Sequence, residues 1–388
     1  MSFTVETKSS PAYFPRHVGS TVLADDRLTL VYHKYKTTEI IPKDAVKFNL
    51  IFAHGTGMNK SVWTFIIKNL YQLSQASTGK NKWYLDSCIS FDNVSHGDSA
   101  LANKGKLGWV YRWDEGGKDL LRLLNYENDT TDDFKNNLTS RNIAIGHSLG
   151  GHFVVLAGFY DPNILDSVVP IEAVLYSDEN STKRFRKLFA KIASLLIDTF
   201  DSKEDIVEYF TKFSFYKKMH PEALKDFMED EIITVIEDGE IKYKTKASKE
   251  AQMSSYICSA LSVPQQMKLL PLMRLPVCHV IGSNGNWNPP QSIPFVREAI
   301  PKRYLSATYD IPKGEHLVHA EQPEDTIKIL QEFILKRQAD FENEKPDEYA
   351  EFKYGKDRNK ILGIEYGHML AGELSEVTGF KGSFDTKL

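Results

Sequence analysis

Few cysteines and no long apolar run are present in this chain of 388 residues. Its three cysteines, Cys88, Cys258 and Cys278, cannot all pair with one another, which favours a reducing compartment over secretion. No window approaches the roughly 18 uncharged apolar residues that a membrane-spanning helix needs, and residues 1–16 contain no apolar core of a signal peptide. We therefore expect a soluble intracellular protein without a spanning segment.

Excess charge and metal-binding patterns are also missing. The sequence has 48 basic and 52 acidic residues, a net charge of -4, which excludes the basic footprint of a nucleic-acid-binding protein. Its histidines and cysteines follow neither the HExxH pattern nor the paired spacing of zinc ligands, so no metal site is predicted. Hydrophobic residues at 41% and charged residues at 26% are ordinary for a globular fold.

Strand-like apolar runs alternate with helical patterns over most of the chain. This order is typical of βαβ units, and it predicts an α/β fold with a mostly parallel sheet and helices on both faces. The predicted strands cover residues 28–35, 48–53, 87–91, 142–146, 168–175, 277–282 and 303–311. The first of them alternates apolar and polar residues, so we expect it at an antiparallel edge of the sheet.

Strand patterns stop between residues 177 and 271, where amphipathic helical patterns take over. Six apolar side chains of one predicted helix in this segment share a single face: Phe185, Leu188, Phe189, Ile192, Leu195 and Leu196. We interpret the segment as a helical cap inserted into the core. The predicted domains are an α/β core of residues 20–176 and 272–340, a cap of residues 177–271 and a C-terminal extension of residues 341–388.

The last three residues of the sequence form a tripeptide related to a known address. Thr386, Lys387 and Leu388 resemble the Ser-Lys-Leu signal for import into peroxisomes, with threonine in the first position. This pattern predicts a peroxisomal localisation with the import receptor as a partner. The alternative is a cytoplasmic protein.

A glycine-flanked serine follows one of the predicted strands. The motif reads Gly146-His147-Ser148-Leu149-Gly150 and precedes a helical pattern, which is the strand, turn and helix context of a nucleophile elbow. A sharp turn of this kind projects the serine hydroxyl above the sheet, and the glycines let neighbouring backbone approach it. We therefore predict Ser148 as the catalytic nucleophile.

A serine nucleophile needs hydrogen-bond donors for the negative charge that develops on the attacked carbonyl oxygen. The usual donors are the amide after the serine and an amide in the loop after an earlier strand. Leu149 supplies the first, and the loop His54-Gly55-Thr56-Gly57 follows a predicted strand. We predict that the second donor is the amide of Thr56, with the amide of Gly57 as the alternative.

The base that activates the serine must follow it in the chain order of this fold. His316 lies in the turn after the last predicted strand, two residues after Gly314, and a loop of this kind can present an imidazole. His319 is the alternative, but it is nearer to the start of the next predicted helix. We predict His316 as the general base.

The acid that orients the histidine is the hardest member to find. The loop after the strand at residues 277–282 is the expected place, and it contains no carboxylate. Glu172 is a lone charge in an apolar run one predicted strand earlier, so it is the predicted acid. Asp178 or Glu179 could substitute for it. An asparagine from the loop after residue 282, Asn284 or Asn286, in the role of the acid would slow turnover by about 10⁴.

Together, four segments resemble the α/β-hydrolase family. They are residues 52–57, 92–99, 146–150 and 314–316. The motifs are most similar to those of peroxisomal lipases within the family, which also end in a variant of the peroxisomal signal. The resemblance implies hydrolysis of carboxylic esters of lipid-like acyl substrates, with the cap over the acyl pocket and without a metal or an organic cofactor.

The resemblance leaves other functions open. The same catalytic residues support an acyl thioesterase or a carbon–carbon bond hydrolase, and a catalytically silent scaffold that binds a ligand is a further alternative. The epoxide hydrolases and dehalogenases of the family use an aspartate nucleophile, so Ser148 disfavours them.

Overall fold

The computed structural model describes residues 3–348 and 357–371. The chain divides into two compact units, Met1–Phe333 and Ile334–Leu388. The strands are β1 (Phe3–Pro11), β2 (Thr29–Thr37), β3 (Lys47–Ala53), β4 (Tyr84–Phe91), β5 (Ser140–His147), β6 (Ser167–Ile171), β7 (Thr199–Phe200), β8 (Ile232–Glu237), β9 (Glu240–Thr245), β10 (Val277–Gly282) and β11 (Leu305–Ile311). The α-helices are α1 (Thr64–Ala76), α2 (Gly97–Ala102), α3 (Trp113–Thr131), α4 (Leu149–Tyr160), α5 (Glu179–Leu195), α6 (Lys203–Glu208), α7 (Pro221–Glu231), α8 (Lys249–Ile257), α9 (Ser259–Leu269), α10 (Ser292–Ala299), α11 (Val318–Glu321), α12 (Pro323–Glu348) and α13 (Arg358–Leu370).

One large sheet organises the first unit, with strand order β1-β2-β4-β3-β5-β6-β10-β11. The strands from β4 to β11 in that order run parallel to one another, while β2 runs antiparallel to both of its neighbours, β1 and β4. Strands β5 and β10 are buried along their whole length because helices cover both faces of the sheet. The predicted α/β fold with a mostly parallel sheet is confirmed, and its carboxyl edge presents the loops after β3, β5, β6 and β11 together.

The predicted edge position of the strand near residues 28–35 is wrong. The sequence analysis missed β1, which pairs with β2 from Phe3 opposite Thr37 to Pro11 opposite Thr29 and forms the edge. Most side chains of β1 are exposed on both faces, so the strand has no apolar alternation that a pattern search could detect.

The segment between residues 177 and 271 is mainly helical, with α5 to α9, but it also contains a small antiparallel sheet of order β7-β9-β8. The expectation that strands are absent from it is wrong. Asp238 and Gly239 connect β8 to β9, and both residues have positive φ, 52° and 81°. An Asp-Gly pair between alternating residues is a hairpin signal that was present in the sequence.

The second unit contains the end of α12 and the helix α13. Among the helices of the described residues, none is both long and apolar enough to cross a membrane. Cys88, Cys258 and Cys278 are free and buried. The tripeptide at residues 386–388 lies outside the described residues.

Candidate active site

Ser148 occupies a strained turn between β5 and α4. Its φ of 51° and ψ of -111° are unusual for a residue with a side chain. A Cβ atom at Gly146 would overlap the backbone of Gly150, and one at Gly150 would overlap the carbonyl of Ala53. Glycine is therefore required on both sides of the serine, because strand and helix backbones approach too closely for any side chain.

His316 lies next to the serine. Its Nε2 is 3.1 Å from Ser148 Oγ, and its ring stacks on the indole of Trp287 with 4.8 Å between centroids. The alternative base, His319, is buried and stacks on His147 instead. No hydrogen bond joins His319 to Ser148 in the described part of the chain.

Glu172 approaches His316 from the other side. It follows β6 directly with a φ of 46°, and its Oε2 is 3.2 Å from His316 Nδ1. Its Oε1 accepts a hydrogen bond of 2.8 Å from the amide of Gly282 at the end of β10. The carboxylate therefore bridges two neighbouring strand ends and faces the imidazole.

The alternative acids have other partners. Asp178 caps the start of α5, where it accepts a 2.6 Å hydrogen bond from the amide of Ser181, and Glu179 forms an exposed ion pair with Lys183. Glu172, rather than Asn284 or Asn286 of the loop after β10, hydrogen-bonds to the imidazole of the candidate base.

The hydrogen-bond partners of His316 determine which of its ring nitrogens carries the proton. Because Glu172 only accepts when ionised, Nδ1 carries the proton and Nε2 is left to accept the hydroxyl proton of Ser148. Burial raises the pKa of Glu172 to about 7, and the hydrogen bond from the amide of Gly282 opposes this rise. Burial lowers the pKa of His316 to about 3. The neutral imidazole required of a general base is therefore the stable form.

Two amides near the serine are free to donate to a reacting carbonyl oxygen. The amide of Leu149, at the start of α4, and that of Thr56 have no acceptor within the described residues. The amide of Gly57, the alternative donor, is occupied because it donates to His96 Nε2 at 3.0 Å. This hydrogen bond favours Thr56 over Gly57 as the predicted second donor.

Buried neutral histidines hold the loop that carries Thr56. His54 donates from Nδ1 to the carbonyl of Gly55 at 2.8 Å, and its Nε2 accepts from the amide of Asn93 at 3.2 Å. Burial lowers the pKa of His54 to about 4 and that of His96 well below its usual value, so both can accept hydrogen bonds. The sequence analysis missed this role of His54 and His96, for which no local signal exists.

Two further residues that the sequence analysis missed position the candidate base. His147 Nε2 donates to the carbonyl of His316 at 2.8 Å, and the Trp287 ring covers the imidazole. Asn288 donates to the backbone carbonyl of Glu172 at 3.3 Å. These contacts join the end of β5 to the loops after β6, β10 and β11, and only the folded sheet brings these segments together.

A cavity of about 370 Å³ opens onto Ser148 and His316, within the size range of small-molecule sites. Apolar and aromatic side chains make up half of its lining residues: Leu188, Ile192, Leu195, Leu196, Tyr209, Phe213, Phe215, Tyr256, Trp287 and Leu317. Thr56 also lines it, so the residue of the predicted second donor and the serine border the same space. No group of three or more candidate metal ligands is present among the described residues.

A serine in a strand-to-helix elbow, with a histidine after the last strand and a carboxylate after an intervening one, defines a class of α/β enzymes. The sequence model of the alpha/beta hydrolase family matches residues 50–329, and the chain belongs to this family. The chain is 28% identical to the peroxisomal membrane protein LPX1 of Saccharomyces cerevisiae, over 86% of this chain and 88% of that protein. The solved structure of the peroxisomal α/β-hydrolase Lpx1 from the same yeast superposes with a TM-score of 0.76 and 25% identity, covering 97% of this chain and 98% of that one.

More distant relatives are also similar. A type I acyl-CoA thioesterase, mpaH of Penicillium roqueforti, is 24% identical over 45% of this chain and 37% of that protein. The structure of E-2-(acetamidomethylene)succinate hydrolase covers 85% of this chain and 99% of that one, with a TM-score of 0.59 and 19% identity. The second similarity concerns the fold alone.

Proposed function

We propose that the protein is a serine hydrolase that cleaves carboxylic esters of lipid-like acyl substrates through an acyl-enzyme. The observation that carries this proposal is the chain of hydrogen bonds from Glu172 through His316 to Ser148, which ends at an apolar cavity. An unpaired hydroxyl in the same cavity would be a poor nucleophile, and the adjacent neutral imidazole supplies the base that it needs.

In the proposed reaction, Ser148 Oγ attacks the ester carbonyl carbon while His316 Nε2 accepts the hydroxyl proton. The amides of Leu149 and Thr56 donate to the oxygen that becomes negative. His316 then protonates the leaving alcohol, and water deprotonated by the same imidazole hydrolyses the acyl-enzyme. Glu172 keeps the imidazole in the correct tautomer and stabilises its cationic form.

The cavity supports an acyl substrate rather than a small polar one. Ile192 and Leu196 line its interior, and Leu195 and Phe213 lie at its opening with 61% and 71% of their surface exposed. Large apolar side chains at the rim of a site are costly in water unless they contact an apolar partner. We infer that the acyl chain lies along this face of α5.

Hydrolysis of p-nitrophenyl esters from short to long acyl chains tests the proposal. Wild-type protein and Ser148→Ala are compared in parallel, with circular dichroism to verify that the variant is folded. We expect turnover that increases with chain length until the cavity is filled and disappears in Ser148→Ala. Equal turnover by both proteins would exclude the serine mechanism, and no turnover with any ester would exclude an esterase.

An acyl thioesterase is the second candidate. Lys191 and Lys217 line the same cavity, no carboxylate pairs with either of them in the described residues, and each could contact the phosphates of an acyl-CoA. The similarity to the acyl-CoA thioesterase mpaH agrees with this reading. Acyl-CoA and p-nitrophenyl esters of the same acid distinguish the two, and Lys191→Gln with Lys217→Gln should raise KM for the CoA ester alone.

We also propose that the protein acts in peroxisomes, with the import receptor as its partner. The proposal rests on the relative Lpx1, which is described as peroxisomal, and on the tripeptide Thr386-Lys387-Leu388. A fluorescent protein fused to the N-terminus should give peroxisomal puncta that are lost when Leu388 is removed. Diffuse fluorescence of both fusions would contradict it.

A further inference from the structure

Helix α5 is amphipathic, and its apolar stripe is only partly buried by protein. Phe185 is its one buried large apolar side chain in the described structure. Leu188 and Ile192 face the catalytic cavity, whereas Phe189 and Ala193 face a second cavity on the other side of the helix. A surface helix normally buries such a stripe against its domain, so the incompletely buried part of this stripe indicates an apolar ligand.

The second cavity has a volume of about 460 Å³. It lies between α5, α8 and α9. The small side chains in its lining make room for the cavity: Ala190, Ala193, Ser259 and Ala260. Thr182 and Ala193 mark its extent along α5, roughly 16 Å at the helical rise of 1.5 Å per residue. An elongated apolar cavity of this length suits an extended aliphatic chain better than a compact ring.

An aromatic cluster separates this cavity from the catalytic one. Phe189 lies 5.5 Å from Tyr256 and 6.5 Å from Trp287 between ring centroids, and Tyr256 lies 5.7 Å from Trp287. Such distances are those of packed rings. Among the described residues that line the second cavity, Ser148 and His316 are absent, so it is a site of its own.

One cation at this cavity has no acidic partner. Arg186 lines it, and within the described residues no carboxylate pairs with Arg186, whereas the neighbouring Lys183 pairs with Glu179. A guanidinium beside an apolar channel matches a ligand with an aliphatic chain and a terminal anionic oxygen pair. We propose that the second cavity binds a long-chain fatty acid, with the chain along α5 and the carboxylate at Arg186.

This site goes beyond the proposed function, because binding there requires no turnover at Ser148. A fatty acid is nevertheless the acid that hydrolysis of a lipid ester releases, so the ligand and the proposed product belong to one chemical class. The occupant would pack against Phe189 and Ala193, which line this cavity.

The test measures binding of cis-parinaric acid, a fluorescent long-chain fatty acid, to full-length Ser148→Ala protein. Arg186→Gln should weaken binding about tenfold, the usual cost of a lost charged hydrogen bond, and should leave binding of the methyl ester unchanged. Ala193→Phe fills the second cavity and should abolish the effect of Arg186→Gln. Leu188→Phe is the matched control on the same helix, because it narrows the catalytic cavity and should leave the Arg186 effect intact.

Unchanged affinity in both Arg186→Gln and Ala193→Phe would overturn the proposal. Ala260→Phe, on α9, replaces Ala193→Phe if circular dichroism shows that the latter is not folded. Turnover of a short-chain ester by the same variants in the Ser148 background separates the two proposals. If the variants lose parinaric acid binding but keep normal ester turnover, the second site is supported. If parinaric acid binds but no ester is hydrolysed, only the proposed esterase function is rejected.

Discussion

The carboxylate of Glu172, at the end of β6, accepts a 2.8 Å hydrogen bond from the amide of Gly282, at the end of β10. The loop after β10 is where the sequence analysis first sought the acid, and it contains none. The side chain from the neighbouring strand fills that place and is fixed there by the backbone of β10. Glu172 thus gains a rigid position although it lies one strand away from the expected loop.

Glu172→Gln should lower kcat by about 10³ to 10⁴ with little change in KM, because an amide can hold the imidazole in the wrong tautomer. Steady-state kinetics on a p-nitrophenyl ester measure the effect. Asp178→Asn, at a helix cap outside the hydrogen bonds that lead to Ser148, is the control and should retain near-normal kcat. A large loss in Asp178→Asn together with normal activity in Glu172→Gln would assign the acid to Asp178.

Activity should depend on the protonation of Glu172. Burial raises its pKa to about 7, so the carboxylate that accepts the Nδ1 proton of His316 is lost as the pH falls below 7 and is complete above it. The profile of kcat/KM should therefore rise with pH with a midpoint near 7 that belongs to the coupled pair. A midpoint near the ordinary glutamate value of about 4.3 would contradict this assignment.

Trp287 stacks on the imidazole that pairs with Glu172, so it should contribute to the burial on which that midpoint depends. Trp287→Ala should admit water to His316 and Glu172 and move the midpoint of the kcat/KM profile to lower pH. Trp287→Phe keeps an aromatic ring over the imidazole and is the matched control, with a midpoint near that of the wild type. Equal midpoints in all three proteins would show that Trp287 does not shield the pair.

Activity should depend on His96, the buried histidine that accepts a hydrogen bond from the loop carrying Thr56. His96→Phe leaves the amide of Gly57 without its 3.0 Å partner, and we expect kcat to fall about tenfold while KM changes little, since only the transition state uses the Thr56 amide. His33→Phe, at a half-buried histidine on β2, is the control and should leave kcat unchanged. A rise in KM with constant kcat would instead place the loop in substrate binding.

The candidate site was predictable wherever its chemistry is local in sequence. Ser148 carries its glycines and its turn with it, and His316 follows a recognisable strand and a Gly314 turn. Glu172 was predicted because an unpaired charge in an apolar run needs a partner. Trp287 and His147 were not predicted, because their contacts with His316 arise from loops that only the sheet brings together.

A buried ion cluster should fix the inserted segment to the sheet. Lys60 is fully buried, and its Nζ lies 3.0 Å from Asp92, 2.7 Å from Asp98 and 2.8 Å from Asp230 of α7. Lys60→Met leaves the buried Asp92 without its cation, whereas Asp98 and Asp230 still pair with Lys246, and we expect the free energy of unfolding to fall by about 3 to 5 kcal/mol.

Lys68→Met is the matched control for this prediction, because Lys68 on α1 also pairs with a carboxylate of α7, Asp226, but its side chain is 43% exposed. Exposed pairs of this kind typically contribute less than about 1 kcal/mol, so urea unfolding should separate the two variants clearly. Similar urea midpoints for both variants would mean that the Lys60 ion pairs do not stabilise the contact between α7 and the core. If only Lys60→Met loses stability, brief proteolysis should also cut its α7 region sooner than that of Lys68→Met, since the loss then lies between that helix and the core.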